Sequence, residues 1–244
     1  MVARKLVRAR TRKISDNPWH WTSGVLDLLR NSKFLGVFFD WDGVLLDSLG
    51  ASFRVYNKIL VRLGSEPLKM DGFMRYQSPN WYEFYAKLGI PEKLWKEVDV
   101  EWVQLYKEEK TGLHPDALPC LERLRGSGFK LALISNGSRA RVETELGRFG
   151  LAPLFQSVMC GERKEELKPS PVMLERTMWA LGLLPSDVVY VGDAPADIQA
   201  AMGAGVVSAA IAREAILEGR LRAEKPDYIF GGLRELADFL IGET

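Results

Sequence analysis

What the sequence has little of narrows its chemistry first. It holds two cysteines, Cys120 and Cys160, far apart and outside any CxxC spacing, and two histidines, His20 and His114, with no acidic or cysteine partner at a useful interval. A zinc site or a disulfide framework is therefore not expected, and both thiols are expected to be reduced, as in a cytoplasmic protein. No apolar run approaches the roughly 18 residues of a spanning helix, so no membrane association is expected. Internal repeats and low-complexity stretches are missing too. Charge of one sign is not in excess: 33 basic residues face 32 acidic ones, which removes the electrostatic signature of a nucleic-acid or membrane-surface binder.

That balance hides a local bias. Six basic residues and no acidic one lie within residues 1–13 (Arg4, Lys5, Arg8, Arg10, Arg12, Lys13), leaving 27 basic against 32 acidic elsewhere. The arm lacks the apolar core of a secretory signal and reads as part of an N-terminal extension, residues 1–33, partly flexible, with one helix near 24–31. Apolar residues are what the chain has in quantity. At 47% hydrophobic over 244 residues, it suffices for one main core with a smaller inserted domain.

Short apolar runs ending abruptly in polar or glycine positions read as buried parallel strands: 34–40, 129–135, 157–159, 188–192, 206–210 and 228–230. Helical patterns at 118–125, 138–149, 171–181, 195–201 and 233–240 alternate with them. This βα alternation predicts an α/β fold, a doubly wound parallel sheet, over residues 34–47 and 114–244. Residues 48–113 break it. They read as helical throughout and hold five of the seven tyrosines, which predicts an inserted α-helical cap, with Asp47 and Ser48 capping its first helix.

Ligands of open α/β sheets bind at the carboxyl ends of strands, so the residues standing there carry the chemistry. The first strand ends in Asp40-Trp41-Asp42-Gly43, and the two-residue period of extended chain sends both carboxylates to one side. The second ends in Ser135-Asn136-Gly137 before a helix N-terminus, a place that favours anions. A later strand ends in Gly192-Asp193, with Asp197 in the first turn of the next helix, and Lys168 stands before Pro169 in a loop. Crowded carboxylates recruit a cation or hold a proton. Oxygen ligands suit Mg²⁺. A carboxylate approaching a phosphate dianion also needs one, since two unit charges about 4 Å apart repel by roughly 4 kcal/mol at an effective dielectric of 20.

The segments DWDGVLLD at Asp40, SNG at Ser135, KPSP at Lys168 and GDAPAD at Gly192 resemble, in order and spacing, the four motifs of the haloacid dehalogenase superfamily. The whole is similar to its phosphoglycolate phosphatases and β-phosphoglucomutases. The resemblance implies a Rossmann-like core and a Mg²⁺-dependent phosphatase acting on a small phosphorylated metabolite. It implies Asp40 as nucleophile, forming an aspartyl-phosphate, and Asp42 as acid/base. Ser135, Asn136 and Lys168 would hold phosphate; Asp40, Asp193 and the Asp42 carbonyl would hold Mg²⁺; Asp197 would support them. Dehalogenases lack the second aspartate, so Asp42 favours phosphate chemistry. A sugar phosphomutase using the same residues, or a catalytically silent binding protein of the same fold, remain the alternatives. In the cap, Arg75, Tyr76, Gln77, Asn80 and Trp81 are candidates to select the leaving group. Trp81, Tyr82, Phe84, Tyr85, Trp95, Trp102 and Tyr106 read as the cap's own core, and His20 and His114 as structural.

Overall fold

A computed structural model of the protein describes residues 34–76 and 81–242; the basic arm and the helix expected near 24–31 lie outside the described residues. The chain enters the sheet at its centre. Strand β1 (Gly36–Phe39) is buried throughout, with helices over both faces and parallel neighbours along both edges, β4 (Lys130–Ser135) on one side and β6 (Val188–Gly192) on the other. β5 (Ser157–Cys160) extends one edge, and β7 (Val207–Ile211) and β8 (Tyr228–Phe230) extend the other, giving the order β5-β4-β1-β6-β7-β8 with every pair parallel. The switch between outward directions falls at β1, where such sheets open a crevice at the strands' carboxyl ends.

Alternation along the strands divides the core in two. Val37 and Phe39, with Leu131, Leu133, Val189 and Val191, face helices α5 (Ala117–Gly126), α6 (Arg139–Phe149) and α10 (Leu233–Ile241). Phe38, Ala132, Ile134 and Tyr190 face α7 (Val172–Leu181) and α8 (Pro195–Ala204). Burying each large side chain contributes about 1.5–3 kcal/mol. Helix α9 (Ala215–Ala223), for which the sequence offered no expectation, covers β7 through Leu221.

Between β1 and α5 the described residues form four α-helices: α1 (Leu49–Arg62), α2 (Met70–Tyr76), α3 (Trp81–Lys87) and α4 (Trp95–Lys107). Val55, Tyr56, Ile59, Phe73, Phe84, Tyr85, Val98 and Tyr106 form their common core, and exposed ion pairs such as Arg62–Glu101 tie α1 to α4 for a few tenths of a kcal/mol to about 1 kcal/mol each. Two readings need correction here. The segment is not helical throughout: its last two residues, Gly112–Leu113 (β3), pair antiparallel with Leu46–Asp47 (β2) just before it, a ladder too short to show a period. Asp47 is exposed within β2, and Ser48, though at the N-cap position, makes no side-chain capping bond. Among the described residues no helix is long and apolar enough to cross a membrane.

Candidate active site

The loops after β1, β4 and β6 meet beneath the four helices around a cavity of about 350 Å³. From the sheet side Asp40, Asp42, Ser135, Asn136, Lys168 and Asp193 line it; from the helical side Leu49, Tyr56, Trp81, Asp99, Trp102 and Val103 do. Six of the seven site residues expected from sequence therefore border one space. The seventh, Asp197, lies behind Lys168.

Lys168 is 1% exposed, a position an ammonium tolerates only when paired. Its Nζ lies 2.7 Å from Asp40 Oδ1 and 2.7 Å from Asp197 Oδ1, and donates to the Tyr190 hydroxyl at 3.0 Å. Burial disfavours the charged amine, but the two carboxylates outweigh it and raise its pKa. Asp197 is held by three donors: Lys168, the Tyr190 hydroxyl at 3.0 Å and the Ala194 N–H at 3.0 Å. The last bond closes the first turn of α8, where an acid also meets the helix dipole. A side chain at Gly192 would put its Cβ 2.2 Å from that of Asp197, so the close approach requires glycine.

Asn136 uses both side-chain groups on the Lys168 backbone. Its Oδ1 accepts from Lys168 N–H at 2.8 Å, and its Nδ2 donates to the Lys168 carbonyl at 3.3 Å. It fixes the lysine loop. Ser135 Oγ accepts from Gly137 N–H at 2.9 Å, which shapes the turn entering α6.

Asp40 Oδ1 accepts from Trp41 N–H at 2.7 Å as well as from Lys168; Oδ2 has no donor among the described residues. Burial, only partly offset by Lys168, pushes its pKa up. Asp193 is pushed well up by burial and then by the charges of Asp40 and Asp197, and it makes no hydrogen bond or ion pair with the described residues. Gly43 lets it stand there: with φ +82°, a Cβ at that position would fall 2.0 Å from Asp193 Oδ2.

Carboxylate oxygens of Asp40, Asp193 and Asp197 lie within 4.8 Å of one another. Two of these acids hold their protons abnormally tightly and one has no partner, the signature of a site short of positive charge, and the donors are hard oxygens. The residues fit Mg²⁺. Asp197, already held by three donors, has least need of it.

Asp42 turns its carboxylate to a residue that the sequence reading passed over. Arg141, on α6, donates to it through Nη1 at 3.0 Å and Nη2 at 2.5 Å, and also reaches Glu145 at 3.2 Å. Burial works to raise the Asp42 pKa, but the guanidinium overrides it and the net shift is downward. Glu145 accepts in turn from the indole N–H of buried Trp41 at 2.6 Å. The i,i+4 spacing of Arg141 and Glu145, just after Ser135-Asn136-Gly137, was the available signal. For Tyr190 it was a phenol in the middle of a buried strand, whose hydroxyl must find a partner. On the helical side, Arg75 and Tyr76 are exposed and off the cavity; Gln77 and Asn80 lie outside the described residues; Trp81 does reach the wall. His114 is half-buried, and burial followed by the charge of Arg213 lowers its pKa.

Comparison with known proteins agrees with this geometry. The profile of the haloacid dehalogenase-like hydrolases matches residues 37–211. A phosphoglycolate phosphatase of Neisseria meningitidis is 28% identical over 217 residues, covering 84% of this chain and 92% of the relative. One of Aquifex aeolicus is 31% identical over 176 residues, covering 71% and 82%. Among solved structures, a haloacid dehalogenase-like hydrolase of Bacteroides fragilis superposes with a TM-score of 0.76 at 25% identity, over 84% of this chain and all of that one. A protein of the same description from Streptococcus pneumoniae shares the fold, with a TM-score of 0.73 at 20% identity over 86% and 99%. With motifs, sheet order and family profile in agreement over most of its length, the chain belongs to the haloacid dehalogenase-like hydrolases.

Proposed function

We propose that the protein is a Mg²⁺-dependent phosphatase that hydrolyses a small phosphate monoester through a phosphoryl group carried on Asp40. The observation that carries this reading is Lys168, buried between Asp40 and Asp197 at 2.7 Å from each, with the Ser135 turn bordering the same cavity. A fixed cation beside a carboxylate nucleophile favours approach of an anionic electrophile.

Mg²⁺, held by Asp40, Asp193 and the Asp42 carbonyl, supplies when bound the charge that lets a phosphate dianion approach these acids. Asp40 attacks phosphorus and the ester bond breaks as Asp42, which takes up a proton when the incoming phosphate dianion offsets the pull of Arg141, gives that proton to the departing oxygen. Asp42 then takes a proton from water, whose oxygen attacks the phosphorus and returns Asp40 to a free carboxylate. Ser135 and Lys168 hold the phosphoryl oxygens, Asn136 holds the loop that presents Lys168, and the helices above exclude bulk water. Asp42 also favours an ester over a halide, which leaves without a proton. The relatives named phosphoglycolate phosphatase support a small acid ester as substrate.

Asp40→Asn should abolish turnover, by at least about a thousandfold, while leaving the melting transition in place, and excess chelator should silence the wild type reversibly. Release of inorganic phosphate from a panel of esters is the assay. Turnover retained by Asp40→Asn would refute the mechanism.

A further inference from the structure

Asp42 follows β1 on a turn with its side chain 36% exposed, yet a proton carrier has to stay within roughly 0.5 Å of its working position. Left alone, a carboxyl so exposed would visit more than one rotamer. The fork of Arg141 holds it, through Nη1 at 3.0 Å and Nη2 at 2.5 Å. An arginine side chain is itself long and rotamer-rich, so the fork works only as well as it is aimed. The guanidinium lies against Gly137, where a Cβ would fall 2.2 Å from Nη2, and the rings of Tyr106 and Trp102 stand 5.2 and 5.9 Å from it. Those contacts limit its travel. Its direction is set by Glu145, one turn further along α6, whose Oε2 accepts from Nη1 at 3.2 Å and from the indole N–H of Trp41 at 2.6 Å. Trp41 is wholly buried, so that N–H has no other way to turn.

We propose that Glu145 and Trp41 are positioning residues, which aim Arg141 and, through it, the proton that Asp42 delivers to the departing oxygen. The inference rests on the reading of Asp42 as acid/base in a phosphatase. Trp41, Glu145, Arg141 and Asp42 form a closed ring, in which three links are hydrogen bonds and the fourth is the peptide bond between residues 41 and 42. A displacement at any link therefore reaches the Asp42 carboxyl. Neither Trp41 nor Glu145 lines the cavity, so both act through Arg141 rather than on the ester. A buried indole N–H needs only an acceptor, which a neutral amide or a carbonyl supplies. A buried carboxylate is harder to accommodate, and the one at 145 faces the guanidinium that serves Asp42.

The test uses the full chain with Mg²⁺ and two esters: 2-phosphoglycolate, whose alkoxide needs a proton to depart, and 4-nitrophenyl phosphate, whose phenolate does not. The ratio kcat/KM reads phosphoryl transfer to Asp40, the step in which that proton moves. Glu145→Gln keeps the shape and an acceptor for Trp41 but removes the charge. It should lower kcat/KM for 2-phosphoglycolate by about 10- to 100-fold and for 4-nitrophenyl phosphate by no more than about threefold. Trp41→Phe should act in the same direction to a smaller degree. Arg141→Met should lose at least as much on 2-phosphoglycolate as Glu145→Gln, and combining the two should add less than about threefold. Equal losses on both esters in Glu145→Gln would mark a structural role and overturn the proposal, as would no loss on either, or losses that multiply in the double variant. If Glu145→Gln does not fold, Trp41→Phe carries the same comparison with the same outcomes. Failure of the phosphatase reading looks different: wild type releases phosphate from neither ester.

Discussion

Gly43 and Asp193 set the tolerance of the whole site. Alanine at 43 must hold φ +82° and place a methyl 2.0 Å from Asp193 Oδ2. Gly43→Ala should therefore cost about 1–3 kcal/mol in urea unfolding and weaken Mg²⁺ binding by at least about tenfold in titration calorimetry. An unchanged Mg²⁺ affinity would mean that Asp193 is not a ligand. Asp197 is the opposite case, an acid whose partners are all inside the protein. Asp197→Ala strips Lys168 of one of two counter-charges and should destabilise by about 3–5 kcal/mol, with equilibrium unfolding as the check. Asp40, Asp42, Asp193 and Lys168 were legible because strand ends and loop motifs are local patterns. Arg141 and Tyr190 were not, because their roles depend on partners far along the chain: Arg141 lies 99 residues from Asp42, and Tyr190 lies 22 from Lys168.

At the scale of elements, Asp116, just before α5, joins three parts of the chain. It takes Arg213 in a forked pair, Nη2 at 2.8 Å and Nη1 at 3.2 Å, and caps α10 by accepting from Leu233 N–H at 2.8 Å. Burial works to raise its pKa, but Arg213 and the Leu233 N–H prevail and the carboxyl ionises below its usual range. The folded pKa is thus lower than the unfolded one, so the stabilisation is present above about pH 4 and is lost as pH falls through the folded value. Asp116→Ala should cost about 1–3 kcal/mol at pH 7, and its urea midpoint should converge on that of the wild type as pH falls below about 4. The main strands and helices were readable from period and punctuation, with ends displaced by at most three residues. Two pieces escaped. β2 and β3 are two residues each, and α9 carries Gly219 in its interior, which weakens its helical signal by about 1 kcal/mol.

For the whole molecule the thiols are a useful gauge. Both are free, Cys120 on α5 and Cys160 at the end of β5, and they lie 2% and 3% exposed in the same core. Burial pushes them up to about 12 and about 11 respectively, so little thiolate exists at neutral pH. A thiol-specific reagent should label neither at an appreciable rate in the native protein and both in denaturant. Fast labelling of one alone would reveal a partial opening of the sheet. The balanced composition could not place the cavity, whose walls come from segments brought together only by the fold.

That assembly has a thermodynamic consequence. Asp40 follows β1 and Asp193 follows β6, strands distant in sequence that become neighbours when Val37 aligns with Val189. The unfolded chain has no such pair of carboxylates, so a cation bound between them is bound almost wholly by the native state. Ion binding and folding then form one linked equilibrium. Above the dissociation constant, each tenfold rise in free Mg²⁺ should then add about 1.4 kcal/mol to the unfolding free energy, and an ion held there would act as a ligand chaperone for the centre of the sheet.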